Sequence, residues 1–280
     1  MTVALVTDST SSLTEDEAVD AGIAIVRLQV VIGADVFTEG KDVTADMVST
    51  ALASYVPVST SRPTPDDFGV VYAKAAAAGA TEIVSIHLSS KMSGTYDSAV
   101  LAAKSAPVPV TCVDSGQVGI ATGYAALRAA AVRDDGGTAE AVAEAATKAG
   151  RESYTLFYVD TLEYLKRGGR VGTAAALIGS ALAVKPLLTV EDGRIAPLEK
   201  VRTAAKALAR LEALIVERAA TFEDGFEIGV QHLSNPSVAA SVAGRLQNSL
   251  GVDEITVREV GASIGAHVGP GMIAVNLTPR

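Results

Sequence analysis

The chain has 280 residues and a mass of 28.5 kDa, and its 23 Lys+Arg against 32 Asp+Glu give a formal net charge of −9. It is 49% hydrophobic but only 4% aromatic with no Trp, so its apolar content is aliphatic, in a length that suits about two domains. This composition excludes a disordered chain, the acidic balance without a basic run excludes a nucleic-acid surface, and a lone cysteine, Cys112, excludes a disulfide framework or a cysteine metal cluster.

The chain reaches Asp8 after a short apolar run with no basic region before it. That run is too short for a signal peptide, and no stretch approaches the roughly 20 apolar residues of a spanning helix. The expectation is a soluble, cytoplasmic protein. Apolar β-branched runs predict strands at residues 3–7, 23–31, 82–87 and 108–113. Each is apolar at most positions, as strands covered on both faces are. Helices are predicted between and after them, at 15–21, 45–56, 65–78, 94–105 and 117–133. Such alternation is the pattern of βαβ units with right-handed crossovers.

Asp134-Asp135-Gly136-Gly137 interrupts this pattern, and a helix over 138–150 leads to a strand over 154–159. Apolar runs at 187–190 and 194–198 flank Asp192-Gly193, the signal of a β-hairpin. A helix at 203–220, a strand at 226–232, a helix at 236–250 and strands at 254–259 and 272–277 complete the chain. Strands of this half need not be parallel. The expected fold is therefore α/β with two domains: a parallel-sheet, Rossmann-like domain over residues 1–150 and a mixed-sheet α/β domain over residues 151–280.

Ligands of open α/β sheets sit outside the carboxyl ends of the strands. Here three strand ends run into small polar residues: Asp8-Ser9-Thr10-Ser11-Ser12, Ser89-Ser90-Lys91-Met92-Ser93-Gly94-Thr95 and Asp114-Ser115-Gly116-Gln117. The second turn opens a helix at Gly94. Its hydroxyls either cap that helix, or the Ser93 hydroxyl and the Gly94 and Thr95 amides form an anion site at the positive end of the helix dipole. In Thr60-Ser61-Arg62-Pro63-Thr64-Pro65, Thr64 suits an N-cap and Pro65 a first helical turn, while Thr60 and Ser61 offer hydroxyls to the same anion.

His87 and His232 end strands and read as structural. His267 lies in Gly265-Ala266-His267-Val268-Gly269-Pro270-Gly271, read as a Gly-rich loop where the imidazole either packs or binds a carboxylate. The basic turn holding Lys166, Arg167 and Arg170 is either a solvated helix end or a contact for phosphate or an acidic partner. Neither a Walker A nor a G-x-G-x-x-G motif is present, so no nucleotide is expected on this chain; without H-E-x-x-H, no metal is expected either. A serine hydrolase acting on acyl esters through Ser93, His267 and Asp8 or Asp114 remains an alternative, ranked low because no G-x-S-x-G elbow exists. A small-anion sensor is a third reading.

In order along the chain, Val6-Thr7-Asp8-Ser9-Thr10, Thr60-Ser61-Arg62-Pro63, the turn at 89–95, Val113-Asp114-Ser115, Asp160-Thr161-Leu162-Glu163-Tyr164-Leu165-Lys166-Arg167-Gly168-Gly169-Arg170, Lys185-Pro186 and the run at 265–271 resemble the DegV family of bacterial fatty-acid-binding proteins. One departure is Arg62, where many members carry Gln. The resemblance implies a long-chain fatty acid between two α/β domains. Its carboxylate would be held by Ser93 and Thr60 or Ser61 with His267 close by, and its acyl chain would lie in an aliphatic tunnel of the second domain. It also implies the carrier subunit of a fatty-acid kinase, without a cofactor of its own. A separate ATP-dependent kinase subunit would phosphorylate the bound carboxylate to an acyl phosphate for phospholipid synthesis. Arg170 and Arg202 are the expected contacts for that partner.

Overall fold

The computed structural model describes residues 2–177 and 185–280. In chain order the first half forms β1 (Val3–Asp8), α1 (Glu15–Asp20), β2 (Ile23–Val26), β3 (Gln29–Ile32), β4 (Asp35–Thr38), α2 (Ala45–Ala53), β5 (Val58–Ser61) and α3 (Pro65–Ala77). It continues with β6 (Glu82–His87), α4 (Thr95–Ala103), β7 (Val110–Asp114), α5 (Ile120–Asp134) and α6 (Ala139–Glu152). The second half forms β8 (Tyr154–Tyr158), α7 (Glu163–Arg167), β9 (Lys185–Glu191), β10 (Arg194–Val201), α8 (Ala204–Ala219), β11 (Phe226–His232), α9 (Pro236–Leu250), β12 (Thr256–Glu259), α10 (Ala262–Val268) and β13 (Ile273–Pro279).

Strands β2-β1-β6-β7 form a parallel sheet in that order. Side chains alternate along a strand, and the two faces are both covered. Val3, Leu5, Val84 and Ile86 meet α5 and α6, whose Ala126, Ala129 and Ala146 allow a close approach. Val6 and Ile83 point the other way, onto Phe68 and Tyr72 of α3 and Ala99 of α4. This double cover is why the strands read as continuous apolar runs. Thr64 caps α3 by accepting a hydrogen bond from the Asp67 amide at 3.2 Å, with Pro65 in the first turn, as the sequence predicts.

The second sheet is mixed, in the order β10-β9-β8-β13-β11-β12, with only β11 and β12 parallel. One face packs Leu156, Val230 and Val275 against Leu211 and Ile215 of α8 and Val242 of α9. The other face packs Phe157, Leu188 and Ile195 against Leu165, Val268 and Met272.

The expected strand over 23–31 is two strands. Between them, the Leu28 amide donates to Ser9 Oγ at 2.9 Å, and the chain leaves the parallel sheet for a separate antiparallel sheet, β4-β3-β5. That small sheet packs Val30 and α2 residues Val48 and Leu52 against Ala262 and Ala266 of α10. The run read as a loop around His267 needs correction: residues 262–268 are α10. Of the glycines that suggested a loop, Gly265 lies inside the helix, where Leu233 packs close, and Gly269 ends it.

Candidate functional site

The chain crosses from β2 past β1 to β6, so the connections reverse direction between β1 and β6. That reversal is the place where open α/β sheets leave a crevice. Asp8 ends β1 there and is completely buried. Its Oδ1 accepts the Thr10 amide at 3.0 Å and the Thr10 hydroxyl at 2.5 Å. Its Oδ2 accepts the Leu88 amide at 3.1 Å and meets His87 Nδ1 at 3.0 Å. One carboxylate thus ties together the two turns that build the crevice. Behind it, His87 Nε2 meets Ser85 Oγ at 2.7 Å, and Tyr72 donates its hydroxyl proton to Ser85 at 2.9 Å.

Asp8, His87 and Ser85 have the connectivity of a hydrolase triad, but all three are sealed in the core. The grouping considered from the sequence is a different one. Ser93, His267 and Asp8 or Asp114 are joined by no hydrogen bond among the described residues: Asp8 is engaged as above, and Asp114 accepts the Ser90 and Gly116 amides. His267 Nε2 lies 2.9 Å from Thr60 Oγ1 instead.

The crevice contains a cavity of about 540 Å³, counted with its open mouth. Its polar lining comprises Thr10, Thr60, Ser93, Arg170, Ser263 and His267, and the remaining walls are apolar, among them Leu28, Leu88, Val118 and Ile264. Apolar walls with a few convergent polar groups are the composition of small-molecule sites. Both halves of the chain contribute.

Thr60 and His267 come together although 207 residues separate them. The other imidazole nitrogen, Nδ1, is buried without a hydrogen-bond partner among the described residues and faces Gly168, where an added Cβ would lie 2.1 Å away. A buried orphan N–H costs more than an orphan acceptor, which assigns the proton to Nε2. Nε2–H then donates to Thr60 Oγ1, and the Thr60 hydroxyl proton is left for a ligand. Burial, with the Arg170 charge adding to it, pushes the His267 pKa down to about 4, so the ring is neutral at pH 7.

The other expected site residues divide. Ser93 lines the cavity. Thr95 is buried, its hydroxyl 2.9 Å from Ser93 Oγ and its amide donating to the same oxygen at 3.3 Å, so it orients Ser93. Gly94 lies beneath the Arg62 guanidinium, which a Cβ at that position would meet at 1.8 Å. Ser61 is the neighbour of Thr60 on β5 and therefore points to the opposite, exposed face, its hydroxyl 3.4 Å from the Arg62 carbonyl. Arg202 is exposed. Arg170 lines the cavity, where Nε donates to the Met92 carbonyl at 3.1 Å and Nη1 to the Gly168 carbonyl at 2.6 Å. No carboxylate pairs with it among the described residues, so its charge is available to an anion.

Sequence reasoning gave no role to Glu39. Its carboxylate is buried, accepting the Ser9 hydroxyl at 2.5 Å and the Ser263 amide at 2.7 Å, and it connects the end of β1 to the start of α10. Burial pushes its pKa above the ordinary 4.5, the nearby Asp8 charge acts in the same direction, and the bonds from Ser9 and Ser263 oppose both. A raised folded-state pKa means that Glu39 supports folding fully below about pH 4.5 and loses this contribution as pH rises through the folded value. Glu39→Gln removes the titration. The stability of the protein relative to this variant is expected to fall as pH rises above 4.5 in urea unfolding series; a difference independent of pH would contradict the assignment.

Among the described residues, no helix is long and apolar enough to cross a membrane, and no group of three or more His, Cys, Asp or Glu is placed to hold a metal ion. A family model described as an uncharacterised protein, DegV family, matches residues 2–280. A DegV domain-containing protein of Streptomyces coelicolor is 48% identical over 279 residues, covering 99% of both chains. The structure of a DegV family protein from Thermus thermophilus, described as fatty acid binding, superposes with a TM-score of 0.91 at 31% identity, covering 100% of both chains. DegV of Bacillus subtilis, described as a fatty acid binding protein, gives 0.92 at 30% identity with the same coverage.

Proposed function

This chain belongs to the DegV family, and from that membership we propose that it binds one long-chain fatty acid and presents the carboxylate to a separate ATP-dependent kinase subunit. The partner would transfer a phosphoryl group from ATP to a carboxylate oxygen, giving an acyl phosphate and ADP. The chain itself would act as a cytoplasmic carrier without a nucleotide site, its two domains, 1–150 and 151–280, closing on the acid between them. Arg202 and the rim of the cavity at Arg170 would meet the partner.

The observation that carries this reading is the mixed lining of the cavity. Thr10, Thr60, Ser93, Ser263, His267 and the Arg170 charge supply its polar groups, and the rest of the lining is apolar. A carboxylate in an apolar site costs several kcal/mol unless hydrogen-bonded, and here hydroxyls and the Arg170 guanidinium, which no carboxylate pairs among the described residues, are available to it. Each buried CH₂ adds about 0.8 kcal/mol, so the hydrocarbon supplies most of the affinity. The fatty-acid binding described for the relatives of Thermus and Bacillus supports the same assignment.

Mass spectrometry of solvent extracts, from protein purified without detergent, is expected to find long-chain acids at about one per chain. Absence of such acids, together with no binding on titration, would refute the reading. Thr60→Val keeps the side-chain shape and removes the hydroxyl between His267 and the carboxylate. It is expected to weaken binding about tenfold, the loss of roughly one hydrogen bond to a charged group. Ser61→Ala, on the opposite face of β5, should leave affinity unchanged; equal losses in the two variants would contradict the placement.

A further inference from the structure

A second chamber of about 430 Å³, on the same measure, lies beyond the first. Val118, Ile195, Ile264 and Val268 line both and form the neck between them. All four are aliphatic and branched at Cβ, which leaves them stiff at χ1. The chamber rests on one face of the mixed sheet. There, Ala274 of β13 stands directly opposite Phe157 of β8 on one side and Gln231 of β11 on the other. Residues opposite one another share a face, so the alanine is the low point between two large side chains.

The polar groups in this wall are already engaged. Gln231 accepts the Ile120 amide through Oε1 at 2.9 Å and donates through Nε2 to Ser12 Oγ at 2.9 Å. Thr155 donates to Gln117 Oε1 at 3.0 Å and accepts from Asn276 Nδ2 at 2.9 Å. A polar group arriving at the far end of a ligand would be desolvated without a ready partner.

Building on the fatty-acid reading above, we propose that this chamber holds the unsubstituted far end of the acyl chain, and that Ala274 sets the depth it reaches. The protein then selects monocarboxylic acids by chain length and rejects acids that carry a second polar group at the far end. Ala274→Leu raises the floor, and Phe157→Leu widens the space beside it.

The test is competition against a fluorescent fatty acid, using saturated monocarboxylic acids of about 10 to about 20 carbons and hexadecanedioic acid, since each methylene that loses its place weakens binding about fourfold. Ala274→Leu is expected to move the preferred length down by about three carbons, and Phe157→Leu to move it up by one or more on the same scale. Hexadecanedioic acid is expected to bind at least about a hundredfold more weakly than hexadecanoic acid. Unchanged preferred lengths in both variants, or equal binding of the mono- and dicarboxylic acids, would overturn the chamber assignment while leaving fatty-acid binding in place. Failure of the unaltered protein to bind any monocarboxylic acid would overturn the fatty-acid reading itself. A misfolded variant loses decanoic acid as well as the longer acids, and the other variant then decides.

Discussion

Asp8→Ala is expected to lower the unfolding free energy by about 3 kcal/mol or more, since each buried group left without its hydrogen-bond partner costs about 1–3 kcal/mol. The carboxylate is fully buried and meets four groups: the Thr10 amide and hydroxyl, the Leu88 amide and His87 Nδ1. Its loss leaves two buried amides and an imidazole without their partner. The truncation also opens a small void between the ends of β1 and β6. Urea unfolding of the purified variant measures the effect; a loss below about 1 kcal/mol would mean that the two turns hold their shape without this carboxylate. The double replacement of Asp8 and His87 should cost less than the sum of the single ones, because each single replacement already breaks the bond between them.

Acidification is expected to remove about 3 kcal/mol of stability through His267 alone, since its pKa falls from an ordinary 6.5 to about 4 on folding. The folded state refuses a proton that the unfolded chain accepts. The contribution is therefore complete above pH 6.5 and is lost as pH falls toward 4. His267→Gln, which cannot titrate, is the comparison. The stability difference between the protein and this variant should rise with pH between 4 and 6.5 and then level off. A flat difference would mean that the imidazole is not desolvated. Glu39 contributes with the opposite sign, so the total pH profile mixes the two and only the separate variants resolve them.

Regular features of this fold were readable because local and tertiary preferences agree. Residues 3–8, 82–87 and 226–232 are apolar runs of strand length bounded by polar turns, and they form β1, β6 and β11. Asp192-Gly193 does join two antiparallel strands. Disagreement arises where long-range contacts decide. The strands β4 and β5 are four residues each and largely polar or exposed, and only their pairing with β3 makes them strands. Helix α10 carries the same residues that suggested a loop; packing against Val30, Val48 and Leu52 overrides the helix-weakening effect of glycine.

The site shows the same division. Thr60, Ser93 and His267 could be singled out by residue type, and all three line the cavity. Ser61 stands beside Thr60 in sequence but not in space, because period-2 alternation separates strand neighbours. Glu39 has no local motif at all. Its partners, Ser9 and Ser263, lie 30 and 224 residues away, and no spacing rule reaches that far.

The cavity takes Thr60 and Ser93 from one half of the chain and Arg170, Ile195 and His267 from the other. Neither half contains it alone, so an occupant acts as a reversible adhesive between them. By mass action it adds RT ln(1 + [L]/Kd) to the stability of the joined state, about 2.7 kcal/mol at a hundredfold excess over Kd. On the proposed function, thermal midpoints of this protein would record its ligand content: batches that carry different amounts should melt at different temperatures, and extraction of the ligand should bring them together.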